Sequence, residues 1–251
     1  MMGRLLSVLL LVFMGITFPV FYVGALIVWL FTLPFDKRLK LLHYYTCFWG
    51  CIYIWVMPTW RVKTEGRGNC RKNAAYIIIS NHQSQLDILV NFRFFIYYKI
   101  VSKIEIFRVP FIGWNMTLNR YIKLVRGDKD GVAKMMEVSG KTLSEGNSVF
   151  FYPEGTRSID CEIKSFKPGA FILAKNAKVP ILPIVINGTG NALPKLTMRT
   201  NGIHSIRARM LKEIPYETLA ELTVEETAEM ARQLMIRELA LLKQEMSATE
   251  S

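Results

Sequence analysis

The stretch Asn81-His82-Gln83-Ser84-Gln85-Leu86-Asp87 places an imidazole and a carboxylate five positions apart, just after the apolar run Ala75-Tyr76-Ile77-Ile78-Ile79-Ser80. Such a pair can act as a general base: the carboxylate orients the ring and the ring takes a proton. Spacing restricts how the pair can form. Five residues on one continuous helix amount to about 500°, which leaves the two side chains roughly 140° apart. They meet only if His82 lies in a turn and Asp87 on the first turns of a following helix, which Asn81 and Ser84 are both suited to start. The same residues also suit a strand end, a helix cap and a solvated aspartate with no chemistry between them.

A second stretch of this kind is Tyr152-Pro153-Glu154-Gly155-Thr156-Arg157-Ser158, again directly after an apolar run. Pro153 and Gly155 favour a tight turn, which would hold Glu154 and Arg157 at the carboxyl end of a strand. Ligands of open α/β sheets bind at that edge. A guanidinium there can grip a phosphate with two hydrogen bonds, and small residues leave backbone N–H groups open to oxyanions. Arg126 and Lys103 are two further cations at expected strand ends. Each of these motifs also has a structural reading, as an ordinary turn or a surface charge. The other histidines, His43 and His204, have no acidic neighbour that would make a comparable pair. No ligand set suited to a metal accompanies His82, since Asp87 alone does not make one. There is neither a GxSxG elbow nor a Walker loop; if the chain is an acyl-transfer enzyme, the expected route is direct attack on the acyl donor by a substrate hydroxyl.

The elements that must hold these residues alternate. Arg61–Thr64, Ala75–Ser80, Tyr98–Ser102, Tyr121–Val125, Ser148–Tyr152 and Pro180–Ile186 read as strands, short and rich in β-branched or aromatic residues. Ser84 to about Phe95, Gly131–Leu143 and Gly169–Asn176 read as helices between them. The expected fold is therefore α/β, a mixed and largely parallel sheet flanked by helices. Ser205–Leu211 alternates apolar and basic residues and is expected as an edge strand. Two prolines in Val179–Pro183 suggest an edge or a pocket wall. Thr223 and Glu226 form a capping box that opens a last helix, with Val224, Ala228, Ala231, Met235, Leu239 and Leu242 along one stripe.

The N-terminus is different. Leu5 to Phe31 is 27 residues without a charge, about 40 Å as a helix against roughly 30 Å of bilayer hydrocarbon. A second uncharged stretch, Leu41–Trp60, follows the basic residues Lys37, Arg38 and Lys40, while Arg4 precedes the first. Residues 1–60 are thus expected as membrane-anchoring helices and 61–251 as the catalytic domain. One topology is a single tilted span; the other, which we favour, is a pair of helices entering and leaving on one side, broken near Pro34. The net charge of +12 is uneven, with 24 Lys/Arg against 10 Asp/Glu in residues 61–211. That excess beside an anchor suits anionic headgroups and phosphorylated substrates. No nucleic-acid-binding motif accompanies it. Four cysteines without metal or disulfide spacing agree with a domain facing the cytoplasm.

Taken together, these stretches resemble the 1-acylglycerol-3-phosphate acyltransferase (lysophosphatidate acyltransferase) family of glycerolipid acyltransferases. Asn81, His82, Ser84 and Asp87 match its Asn-His-x-Ser-x-x-Asp block. Lys103, Pro110, Gly113 and Arg126 match a second. Pro153 to Ser158 match Phe-Pro-Glu-Gly-Thr-Arg-Ser, with Tyr152 in place of phenylalanine, and Val179 to Pro183 match Val-Pro-Ile-x-Pro. The blocks are in order across residues 81–183. The resemblance implies a membrane-associated α/β enzyme that acylates the 2-hydroxyl of 1-acylglycerol 3-phosphate from acyl carrier protein or coenzyme A thioesters, giving phosphatidate without metal or cofactor. It implies His82 as general base, Asp87 as its partner, and Glu154, Gly155, Thr156, Arg157, Arg126 and Lys103 as substrate-binding residues. It also implies location at the inner, cytoplasmic membrane. Rival readings are a relative acting on lyso-ornithine lipid or lysophosphatidylcholine, and a non-catalytic basic module at the membrane surface.

Overall fold

The computed structural model describes residues 2–194 and 202–250, without the side chains of residues 2–4, 249 and 250; the flanking Arg4 side chain therefore lies outside the description. Seven strands, β1 (Trp60–Glu65), β2 (Ile77–Ser80), β3 (Lys99–Lys103), β4 (Ile122–Leu124), β5 (Val149–Phe151), β6 (Ile181–Asn187) and β7 (His204–Met210), form one sheet in the order β1-β7-β6-β2-β5-β3-β4. All neighbouring pairs are parallel except β6 with β7. The helices are α1 (Met2–Thr32), α2 (Lys40–Trp55), α3 (Leu86–Phe92), α4 (Ile112–Leu118), α5 (Lys129–Ser144), α6 (Gly169–Ala177), α7 (Thr189–Ala192), α8 (Tyr216–Ala220) and α9 (Val224–Glu250). The fold is α/β, a mixed and mostly parallel sheet flanked by helices.

Alternation of side chains on β2 gives the sheet two cores, because successive residues face opposite sides. Ile78 packs on one face with α2 and α3 residues such as Cys51, Ile54, Leu86 and Val90. Ile77 and Ile79 pack on the other with Phe171 of α6 and the α9 stripe Ala231, Met235, Leu239 and Leu242. The capping box at α9 forms in both directions: Glu226 N–H donates to Thr223 Oγ1 (3.1 Å) and Thr223 N–H to Glu226 Oε2 (2.7 Å).

Two strand expectations are corrected. β7 is an interior strand between β1 and β6, not an edge. Its alternating arginines face acidic partners instead of water: Arg209 bridges to Glu65, Glu238 and Glu245 at 2.6–2.8 Å, and Arg207 to Glu245 at 3.2 Å. β6 is also interior, despite Pro183. The Pro183 carbonyl accepts from Leu211 N–H (2.9 Å), just past the end of β7, so the missing N–H falls where that ladder stops.

α1 is unbroken through Gly15, Pro19 and Gly24, and Leu5–Thr32 is long and apolar enough to cross a membrane by length and composition. Its inner face packs on α2, with Phe18 and Phe21 5.7 Å from Tyr53 and Trp49 respectively. A Cβ at Gly24 would strike the Tyr45 hydroxyl, so glycine sets the close approach of the two helices. α2, expected with α1 as anchor, also buries Cys47, Cys51 and Ile54 in the core beneath the sheet.

Candidate active site

The parallel strands deliver their carboxyl ends to one side of the sheet, and the residues singled out above gather there. His82 sits two residues beyond β2, and α3 begins only at Leu86. The chain is therefore free to fold the imidazole back over the helix start. His82 Nδ1 lies 2.7 Å from Asp87 Oδ2, and Asp87 is fully buried. Because a carboxylate only accepts, Nδ1 carries the hydrogen and Nε2 is left as the basic nitrogen.

Burying a carboxylate is costly unless its oxygens are satisfied. Here four donors converge. Oδ2 also accepts from Gln83 N–H (2.7 Å) and Ser84 N–H (2.9 Å), so Asp87 fastens the turn that leads into its own helix while it holds the ring. Oδ1 accepts from the Thr189 hydroxyl at 2.5 Å. Thr189 opens α7 directly after β6, in the turn Gly188-Thr189-Gly190. Gly188 has φ +93, and a Cβ there would strike the Ser205 carbonyl, which ties glycine to the turn that aims Thr189.

Backbone placement of His82 is equally determined. Asn81 pairs with both polar groups of Ile186, donating to its carbonyl (2.9 Å) and accepting from its N–H (2.8 Å). Ser84 Oγ donates to the Leu193 carbonyl (2.6 Å) and accepts from Leu86 N–H (3.2 Å). The turn after β5 closes over the other side: Ser158 N–H donates to the His82 carbonyl (2.8 Å), and His82 N–H donates to Glu154 Oε1 (2.8 Å). Tyr152 stacks on the imidazole with ring centres 4.0 Å apart and planes 17° apart. Its hydroxyl, the one departure from phenylalanine, takes a hydrogen bond from Asn91 Nδ2 at 3.2 Å.

Glu154 therefore stands beneath the histidine loop. Its second oxygen accepts from Lys164 N–H (3.1 Å), and the side chain is buried. Burial pushes its pKa up to about 7, outweighing the two N–H donors that favour the charged form. Because this value lies above the ordinary 4.5, the stability it contributes is present in full below about pH 4.5 and lost as pH rises through about 7. Melting temperature measured from pH 4.5 to 8 is expected to show this decline in the wild type and a flatter profile in Glu154→Gln. Equal slopes in both proteins would assign the titration elsewhere.

A cavity of about 840 Å³ joins the imidazole to two different environments. Its lining carries the cations Lys103, Arg126, Arg157 and Lys167 together with many apolar residues, among them Met14, Trp49, Leu89 and Met116 of α1, α2, α3 and α4. Lys103 and Arg126 are exposed at the ends of β3 and β4. Gly155 lines the wall with φ +70, a conformation that favours glycine. Thr156 is exposed and forms no part of the wall, and Glu154 faces the His82 backbone instead. Among the described residues, no group of three or more His, Cys, Asp or Glu stands together as metal ligands do.

Lys167 and Thr189 were not singled out from sequence. Thr189 had a signal: a Gly-x-Gly turn after an apolar strand, as at the other strand ends. Lys167 had none, because only the turn bond from its N–H to the Pro153 carbonyl (2.9 Å) brings it to Gly155.

A family model described as Acyltransferase matches residues 61–187, which carry His82, Asp87, Lys103, Arg126, Glu154, Arg157 and Lys167. The chain belongs to the acyltransferase family. Among curated relatives, it is 37% identical over 164 residues to a 1-acyl-sn-glycerol-3-phosphate acyltransferase of Chlamydomonas reinhardtii, covering 64% of this chain and 49% of that one. It is 36% identical to a chloroplastic enzyme of the same name from Arabidopsis thaliana, over 76% of this chain and 54% of that one. A Saccharomyces cerevisiae protein of that name is 34% identical, over 70% of this chain and 58% of that one. The chain thus spans about half the length of the relatives it matches. In fold, this acyltransferase resembles the crystal structure of the 1-acyl-sn-glycerophosphate acyltransferase PlsC from Thermotoga maritima, with a TM-score of 0.77 over 96% of each chain at 23% identity.

Proposed function

We propose that this acyltransferase moves a fatty acyl group from a thioester of acyl carrier protein or coenzyme A to the 2-hydroxyl of 1-acylglycerol 3-phosphate, giving phosphatidate. The observation that carries the reading is the His82–Asp87 pair set in a cavity whose lining combines four cations with a large apolar surface. A lysolipid has both characters. Lys103, Arg126, Arg157 and Lys167 face its phosphate, and the hydroxyl to be acylated lies against His82. Nε2 takes the hydroxyl proton as the oxygen attacks the thioester carbonyl; the tetrahedral intermediate then expels the thiolate, which receives the proton back from the imidazolium. Asp87 stabilises that imidazolium and fixes its tautomer. Glu154 and Gly155 act on the site through the turn they build, and Thr156 belongs to that turn.

Packing supports the membrane reading, while the inner membrane and its cytoplasmic face come from the family resemblance. α1 is held along its length: Leu6 and Leu10 pack against the core under the sheet, Phe18 and Phe21 on α2, and Ala25 with Leu39 and Leu42. A helix so attached cannot stand across a bilayer without drawing α2 into hydrocarbon. It lies along one leaflet, with the active site at the inner membrane's cytoplasmic face.

The test crosses acyl carrier protein and coenzyme A donors against lysophosphatidate, lysophosphatidylcholine and lyso-ornithine lipid, using purified protein. Phosphatidate formation should dominate; preference for a neutral or zwitterionic acceptor would refute the headgroup assignment, and no thioester consumption would refute catalysis. In the same assay Arg157→Ala should raise KM for lysophosphatidate roughly tenfold to hundredfold, the loss of a charge-assisted hydrogen bond of about 1.5–3 kcal/mol. An unchanged KM and rate would remove Arg157 from the site.

A further inference from the structure

The two oxygens of Asp87 have unequal company. Oδ2 serves the imidazole and the Gln83 and Ser84 N–H groups, while the donor to Oδ1 among the described residues is the Thr189 hydroxyl at 2.5 Å. Both side chains are shut off from solvent. A carboxylate turns about a single bond, and a charged oxygen buried without a donor is strongly disfavoured. The partner of Oδ1 therefore decides which oxygen stays before the ring. Thr189 stands two residues beyond the segment that the family model matches.

The turn that carries Thr189 is tied to the histidine loop on both sides. Before it, the Asn81 side chain pairs with the backbone of Ile186 at the end of β6; after it, the Ser84 hydroxyl donates to the Leu193 carbonyl. Gly190 lies so close to Cys161 that an added Cβ would come within 2.3 Å of its Sγ. The Cys161 carbonyl in turn accepts from Gln83 Nε2 (3.0 Å), which leaves Gln83 Oε1 facing Thr189. The hydroxyl has one proton and two acceptors within reach. Gln83 Oε1 is neutral and 3.3 Å away; Asp87 Oδ1 is charged and nearer, so it takes the bond. Thr189 is absent from the cavity lining, so its effect on the reaction passes through Asp87.

We propose that Thr189 is a positioning residue for acyl transfer: its hydroxyl holds Oδ1 so that Oδ2 stays before His82 Nδ1 while the imidazolium forms. The effect on rate rests on the function proposed above, with whichever lysolipid is accepted; the effect on the His82–Asp87 bond does not. Valine has the shape of threonine without the donor. In Thr189→Val, Oδ1 faces a methyl group, and the carboxylate turns to share the Gln83 and Ser84 N–H groups between its oxygens. The ring loses its fixed partner, while the surfaces that bind lipid and thioester are untouched.

Steady-state rates of the purified full chain test the first part. Thr189→Val should lower kcat about tenfold to hundredfold, the range for a lost hydrogen bond to a charged group, with KM for both substrates unchanged. Thr189→Ser restores the donor and should return kcat close to the wild-type value. In a His82→Ala background Thr189→Val should cost nothing more, because the hydroxyl acts through the ring's partner. A normal rate in Thr189→Val, a serine variant as slow as the valine one, or a further loss without His82 each overturns the proposal. If a melt shows the valine variant unfolded, Thr189→Ala takes its place with the same expectations. Proton NMR gives a readout that needs no turnover. The Nδ1 proton of His82, assigned by its absence from His82→Ala, should persist in Thr189→Ser and be lost to solvent exchange in Thr189→Val. An unchanged resonance in Thr189→Val overturns the positioning. Loss of the resonance in a protein whose wild type consumes no thioester refutes the proposed function and leaves the hold on Asp87 standing.

Discussion

His82→Ala is expected to lower the rate of acyl transfer by about 10²–10⁴-fold, the range for losing a positioned general base, while the protein stays folded and bound to membranes. An alcohol is a poor nucleophile near neutral pH, and among the described residues His82 is the one histidine in the cavity lining. His43 is buried on α2, bonded to Tyr121 Oη (2.7 Å) and the Ile96 carbonyl (2.9 Å). Folding should survive for a local reason. The backbone of residue 82 keeps its bonds to Glu154 and Ser158, and Asp87 keeps its two N–H donors and Thr189. What disappears is the stack on Tyr152 and one bond from a side chain only 20% exposed. The measurement pairs initial rates of thiol release with a thermal melt and a vesicle sedimentation assay. Near-normal turnover in a folded variant would eliminate the general-base role.

How far the site was legible depended on the distance over which its contacts act. The requirement that His82 lie off the helix carrying Asp87 came from helical geometry alone, and α3 starting at Leu86 meets it. Strand ends at Lys103, Arg126 and Tyr152 were readable for the same reason, since each follows a short apolar run. Contacts between distant parts of the chain were not. Thr189 reaches Asp87 across 102 residues and Asn81 reaches Ile186 across 105, and no local pattern records such pairings. The position of β7 failed in an instructive way. Alternating arginines mean a polar face, which in sequence suits a solvated edge; here the glutamates of α9 cover it. Residues 212–251 hold 9 Glu against 4 Lys/Arg, but only packing shows that this acidic segment and the basic strand neutralise each other. Hydropathy likewise identified α1 and α2 as apolar without separating a helix with an exposed outer face from one that also enters a protein core.

Asp87→Asn should cost nearly as much activity as His82→Ala and little stability. Oδ2 serves three N–H donors, so the amide oxygen must take that position and the amide nitrogen must face Thr189. Thr189 can adapt, because its hydroxyl also lies 3.3 Å from Gln83 Oε1 and can donate there while accepting from the new amide. The ring therefore keeps its place and its tautomer, and what is lost is the negative charge that stabilises the imidazolium formed during attack. Asp87→Ala behaves differently: the Gln83 and Ser84 N–H groups are left buried without a partner, at roughly 1–3 kcal/mol each. Catalysis by the pair as a unit makes the losses non-additive. The double variant His82→Ala/Asp87→Asn should be no slower than His82→Ala alone, since the carboxylate has no imidazolium left to stabilise. Single-turnover rates for the four proteins decide the matter. Full additivity in the double variant would mean that Asp87 contributes to catalysis independently of His82, which the 2.7 Å bond and the closed set of donors around it give no means of doing.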